Sequence, residues 1–311
     1  MNSNEIFDPK KSLTLLEIEK KLLFLINLYK NNKFPKVLMI SGKKGIGKFT
    51  LINHFLTFVF DEKHYDLKKY FINDQTNFYK QNLNNTFSNI IYLPGASFKN
   101  IKIEDIRNLK STILKTTLSE LNRFIILDDV ELFNSNSLNA LLKTIEEPSI
   151  NNYFILINNK TKNLLETIYS RSLEIKIILK NEIRVNVINS LINKNHLEIF
   201  IDYEASDITP GNFLLFNSIC KDYNIDINNN FVKNLEQILN LYKKNKNLNL
   251  INFILFITDN YFNRLTTDKK YNIDTLIEQK SYIINNINKF ILFNLNQNSL
   301  IDAINNKLSN G

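Results

Sequence analysis

The chain has 311 residues, enough for two or three domains, and 44% of them are hydrophobic, so a packed core can form. Its single cysteine, Cys220, excludes an internal disulfide and a cysteine-only metal site, which makes a cytoplasmic protein the simplest reading. The formal net charge of +8 fits acidic partners such as nucleic acid, or equally a solvated lysine surface in a chain rich in Lys, Asn and Ile throughout.

The opening Met-Asn-Ser-Asn-Glu has no basic-then-apolar run, so no leader is expected. The best apolar run, Leu248 to Thr258, is short and broken by Asn, so no membrane span is expected either. Leu13, Leu16, Ile18, Leu22, Leu23, Ile26 and Leu28 predict a helix over 12–33, ended by Pro35. Lys36–Ile40 reads as a short buried strand, followed by a glycine-rich loop and a helix over 48–60. Residues 61–87 are polar, Asn-rich and poorly periodic, which suggests an insertion or a mobile loop. Further strands are expected at 89–93, 123–127 and 153–157. Helices are expected around Ile103–Leu114 and over 135–147, where Leu138, Leu141, Leu142 and Ile145 share one face. Fully apolar strands alternating with helices argue for an α/β fold, a parallel sheet covered on both faces. Beyond about residue 180 the pattern turns helical, over 181–200, 207–220, 228–245, 247–263 and 272–310.

Chemistry concentrates at three places. In Ile40-Ser-Gly-Lys-Lys-Gly-Ile-Gly-Lys-Phe-Thr50, Gly42, Gly45 and Gly47 allow the backbone to curl around phosphate oxygens, and Lys48 can reach the β- and γ-phosphates. A hydroxyl for Mg²⁺ belongs directly after the lysine. Phe49 stands there, and Thr50 follows one residue late, about 100° round the helix. Asp128 and Asp129 end a buried strand, where Asp128 can hold Mg²⁺ through water and Asp129 stands where a water-orienting base would. A helix cap is the plain alternative. Arg171, scarce among lysines, suits a bidentate clamp on phosphate or carboxylate, or a structural salt bridge. Asn158 and Asn159 suit a turn or a γ-phosphate contact. His54, His64 and His196 are scattered, so no metal site is expected.

Together these residues resemble the AAA+ clamp-loader family of bacterial DNA polymerase III. Phe124-Ile-Ile-Leu-Asp-Asp-Val-Glu-Leu-Phe-Asn-Ser-Asn-Ser-Leu-Asn-Ala-Leu-Leu-Lys-Thr-Ile-Glu-Glu-Pro148 is similar to the family's strand, acidic pair and following helix. Phe154–Ile157, then Thr167-Ile-Tyr-Ser-Arg-Ser172, resembles its next strand and arginine segment. Ile106-Arg107-x-Leu109 is similar to the helix before the acidic strand. The resemblance covers roughly residues 10–215. Phe49, the lack of any cysteine between 48 and 128, and Asn212 in Thr209-Pro-Gly-Asn-Phe213 point to the delta-prime branch rather than gamma/tau.

The resemblance implies an AAA+ P-loop module over 1–165, a small helical lid over 166–220 and a helical collar over 221–311. It implies a five-membered ring with gamma/tau and delta subunits that loads a sliding clamp onto primed DNA, with Arg171 supplied in trans to a neighbouring ATPase site. ATP with Mg²⁺ is the implied cofactor, with the hydroxyl ligand missing, and no zinc is expected. Two alternatives stay open: a gamma/tau-like ATPase motor, and a P-loop small-molecule kinase, against which the single arginine of 181–220, Arg184, counts.

Overall fold

The computed structural model describes residues 8–94, 111, 121–146, 151–267 and 272–309. The expected helix around 103–114, Ile106-Arg107-x-Leu109, and Glu147-Pro148 lie outside them. The described strands are β1 (Val37–Ser41), β2 (Tyr65–Asp66), β3 (Phe71–Ile72), β4 (Ile90–Leu93), β5 (Arg123–Leu127), β6 (Asn152–Asn158) and β7 (Leu173–Lys176). Five of them form a parallel sheet in the order β4-β5-β6-β1-β7, while β2 and β3 pair as a separate antiparallel hairpin.

The central strands are apolar along their middle positions and buried throughout most of their length because both faces of the sheet are covered. Leu38, Ile40, Phe124, Ile126, Ile155 and Ile157 point to one core, shared with α1 (Glu19–Lys30) and α2 (Lys48–Asp61). Their neighbours Val37, Met39, Ile125, Leu127, Phe154 and Leu156 point to the other. There they meet Leu138 and Ile145 of the helix that follows the acidic pair, Ser135–Glu146.

Three expectations change. Residues 12–18 are not helical: Leu15 N–H donates to Tyr70 at 3.1 Å and Ile72 N–H to Leu13 at 2.9 Å, so this stretch runs along the β2–β3 hairpin. The polar 61–87 segment is built structure, with the hairpin followed by α3 (Asn77–Leu83), and Tyr65, Ile72 and Phe78 are buried in the first core. Isolated apolar residues anchor it, which leaves no periodicity to read. The strand β7 was not expected, since an edge strand of four residues buries only Ile175.

His54 of α2 is fully buried in this region. Its Nε2 faces the Ser12 carbonyl at 3.3 Å, which can only accept, so Nε2 carries the proton and Nδ1 accepts from the Tyr65 hydroxyl at 2.9 Å. Burial lowers its pKa from 6.5 to about 4. The unfolded chain therefore takes up a proton that the folded chain refuses between those two values. Stability is complete above the upper value and falls as pH drops through the window, by about 3 kcal/mol in all. Urea unfolding at neutral pH and near pH 4 should show this loss, and His54→Gln should largely abolish the difference.

The chain divides into two compact units, Met1–His196 with Ile208–Leu214, and Leu197–Asp207 with Leu215–Gly311. The helices after α3 are α4 (Ser135–Glu146), α5 (Glu166–Tyr169), α6 (Asn181–Asn195), α7 (Pro210–Tyr223), α8 (Phe231–Asn245), α9 (Leu248–Thr267), α10 (Ile273–Phe293) and α11 (Gln297–Ser309). In the second unit α9 packs on α8 and α10, and α11 on α10 and α8, around Leu235, Ile238, Phe253, Ile254, Ile283 and Ile287. The single helix expected over 272–310 is two, because Asn294 takes a left-handed conformation and its N–H caps Phe290. No helix among the described residues is long and apolar enough to cross a membrane.

Candidate functional site

The loop between β1 and α2 lies at the carboxyl ends of the parallel strands, where open α/β sheets present their ligands. Gly42 N–H donates to the Asn158 carbonyl at 3.1 Å, which ties the start of the loop to the end of β6. Gly47 caps α2 with φ 96°, a left-handed conformation that a residue with Cβ adopts only under strain. Lys48 is buried at 4% exposure, and its Nζ donates to the carbonyls of Gly42 at 2.7 Å and Lys43 at 2.8 Å. Burial lowers its pKa to about 8, while Asp128, Glu131 and Asp129 act in the opposite sense and help to keep it charged.

The position after Lys48 is filled by carbon. The Phe49 ring meets Tyr92 edge to face, with centroids 5.3 Å apart and planes at 84°. The Tyr92 hydroxyl donates to Asp128 Oδ2 at 2.8 Å, and Asp128 Oδ1 accepts from the Asp129 N–H at 2.9 Å. Burial, and then the Asp129 charge, push the Asp128 carboxyl above its ordinary pKa. Burial and Asp128 push the Tyr92 hydroxyl far up, so its proton stays in place. Both oxygens of Asp128 thus serve protein donors, and Phe49 offers Mg²⁺ no oxygen. The phosphate half of the loop fits a nucleotide; the metal half does not fit the ion.

Asp129 takes a left-handed conformation at φ 49°. Its carboxylate lies 3.3 Å from Lys44 Nζ and accepts from the side-chain amide of Asn159. Glu131, two residues on, is buried and accepts from Asn159 N–H at 3.2 Å and the Thr161 hydroxyl at 2.9 Å. From the far side, the Thr209 hydroxyl donates to the Lys44 carbonyl at 2.7 Å, and Gly211 N–H to the Gly45 carbonyl at 2.8 Å.

Arg171 lies elsewhere. Its Nη2 is 2.9 Å from Glu146 Oε1 in a half-exposed pair, and its Nη1 donates to the Thr167 carbonyl at 3.0 Å. It precedes β7, whose Leu173 sits beside Leu38 and whose Lys176 sits beside Ser41. Because β1 and β7 run parallel, Arg171 is level with the start of β1, whereas the loop begins beyond its end. At about 3.3 Å per residue, the four positions from Leu38 to Gly42 set the entry to β7 about 13 Å along the strands from the loop.

The fold therefore gathers Gly42, Gly45, Gly47, Lys48, Thr50, Asp128, Asp129 and both asparagines around one end of the sheet, and sets Arg171 at the other. Asn158 forms a turn, its Oδ1 accepting from Lys160 N–H at 2.8 Å, while Asn159 joins the acidic pair. Sequence reading missed Tyr92, Glu131 and Thr161, and did not anticipate Thr209 and Gly211 as loop partners. Tyr92 near the end of the strand beside the acidic one, and a third acid after Asp128-Asp129, were the available signals.

A segment of 162 residues is 29% identical to the DNA polymerase III subunit gamma of Buchnera aphidicola subsp. Schizaphis graminum, covering 50% of this chain and 44% of that protein. Another of 81 residues is 33% identical to the DNA polymerase III subunit delta' of Pseudomonas aeruginosa, covering 26% and 25% respectively. The chain thus spans less than half the length of these relatives. A solved gamma subunit-related protein from Thermotoga maritima overlays with a TM-score of 0.48 at 15% identity, covering 90% of this chain and 96% of that one, too loose a likeness to bear on function. The family described as "DNA polymerase III, delta subunit" matches residues 18–181, the stretch that carries the sheet, the loop, the acidic pair and Arg171. That match takes in more than half of the chain, and the chain belongs to this family.

Proposed function

We propose that this chain is a clamp-loader subunit of bacterial DNA polymerase III, in the delta-prime role of a stator rather than the gamma/tau role of a motor. Residues 1–165 act as the AAA+ module, 166–220 as its lid and 221–311 as the collar that assembles a five-membered cytoplasmic ring with gamma/tau and delta subunits. The ring opens a sliding clamp and sets it on primed DNA. In this reading Arg171 serves the ATPase site of the next subunit, where it stabilises charge developing on the transferred phosphoryl group.

One observation carries the assignment. Arg171 stands at the end of the sheet opposite its own loop, half exposed and held at its flank by Glu146, so it suits a site on another molecule. The chain's own pocket supports the same reading: Phe49 replaces an oxygen ligand, and Asp128 is already engaged by Tyr92. Its own hydrolysis falls to background, since loss of one such group typically costs a hundredfold or more. The full chain, mixed with gamma/tau and delta subunits, is expected to elute as one complex by size exclusion, and alone to show no ATP turnover above background. Turnover by the isolated chain that Lys48→Ala abolishes would make it a motor instead.

A further inference from the structure

Four consecutive loop carbonyls accept from the chain's own donors: Gly42 and Lys43 from Lys48 Nζ, Lys44 from the Thr209 hydroxyl and Gly45 from Gly211 N–H. The last two donors come from the start of α7, at least 165 residues away in sequence. Gly211 N–H belongs to the first turn of that helix, whose amides have no partner within the helix, so the loop satisfies a donor that must otherwise find water. The approach admits no side chain on either strand of the contact. A Cβ on Gly45 would lie 2.5 Å from Thr209 Oγ1 and 2.8 Å from Asn212 N, and a Cβ on Gly211 would lie 2.9 Å from Gly45 Cα and from its carbonyl oxygen. Thr209 itself is buried at 6% exposure.

We infer that Thr209–Gly211 is a built-in clasp that holds the phosphate loop in one shape whether or not a ligand is present. In a trans peptide the carbonyl and the following N–H point opposite ways. Fixing the carbonyls of Lys44 and Gly45 on the turn therefore aims the N–H groups of Gly45 and Ile46 away from it. Lys48 braces the first half of the loop and the clasp braces the second, so the whole loop is ordered by the chain's own donors. A subunit that keeps its loop closed this way stays rigid through a cycle in which its neighbours bind and release nucleotide. This deepens the stator reading and rests on it for its meaning in the ring, while the contact itself belongs to the isolated chain.

The test is amide hydrogen exchange on the full-length chain without nucleotide, comparing the unaltered protein with Gly211→Ala and Thr209→Val. Alanine is favoured over glycine in a helix, so Gly211→Ala can loosen the loop only through its clash with Gly45. Thr209→Val keeps the shape and removes one donor. The clasp predicts slow exchange of the residue 211 amide, the N–H that donates to Gly45, in the unaltered chain, at least tenfold faster exchange there in Gly211→Ala, and a smaller rise in Thr209→Val. Rates within twofold of the unaltered chain in both variants, or a residue 211 amide that exchanges freely from the outset, overturn it. ATP turnover by the unaltered chain would defeat the stator reading and leave the clasp standing, so the two failures are distinguishable.

Discussion

Replacing Arg171 with alanine in a reconstituted complex is expected to lower DNA-stimulated ATP turnover by about a thousandfold at the site it serves, with little change in ATP affinity there. The asymmetry follows from the proposed role. A guanidinium placed where negative charge develops acts on the transition state more than on bound ATP, so its loss appears in kcat and not in KM. Arg171→Lys should recover little, because a point charge lacks the planar fork that spans two phosphate oxygens. Unfolding is not a competing explanation: the Arg171–Glu146 pair is half exposed, and such pairs contribute about 1 kcal/mol or less. Unchanged turnover in the variant complex, or a loss confined to KM, would remove Arg171 from the mechanism. The family membership would be untouched.

Phe124→Ala should destabilise the first unit by about 3–5 kcal/mol, measured as the shift of urea unfolding followed by circular dichroism. Phe124 is wholly buried at the start of β5. Its ring has neighbours at 5.8 Å (Phe55 and Phe60), 5.4 Å (Tyr153), 6.0 Å (Phe34) and 6.3 Å (Tyr29), mostly edge to face. Truncation leaves a void walled by rigid rings that cannot collapse into it, so the transfer loss and the cavity cost add. Natural domains are stable by only about 5–15 kcal/mol, so one such change brings the unit close to unfolding. Phe124→Leu, which retains most of the volume, should cost clearly less. A shift below about 1 kcal/mol for the alanine variant would mean that this aromatic cluster is not the centre of the core.

The sheet and its loop were legible for a definite reason. Strands covered on both faces need uninterrupted apolar runs, and Val37–Ser41, Arg123–Leu127 and Asn152–Asn158 largely provide them. The helix Ser135–Glu146 shows its buried stripe at helical spacing, and the glycine loop must lie between a strand and a helix to work at all. The 61–87 region gave no such signal, because Tyr65, Ile72 and Phe78 each enter the core from a different short element. Residues 12–18 misled in the other direction, since their apolar residues continue a helical spacing, yet hydrogen bonds to the hairpin hold 13–15 beside it. Local preference is a weak force, and tertiary partners overrode it in both places.

Residue type alone determined that the loop has glycines and a lysine for phosphate, that carbon stands where a metal-binding hydroxyl belongs, and that one arginine comes soon after the strand that follows the acidic one. Tertiary structure decided what those groups meet. Tyr92 reaches Asp128 across 36 positions of chain, Thr209 reaches Lys44 across 165, and the β1–β7 register places Arg171 away from its own loop. Donor and acceptor chemistry is a property of each side chain and can be read singly. Its partners are set by how buried faces pack, and no local pattern records that pairing.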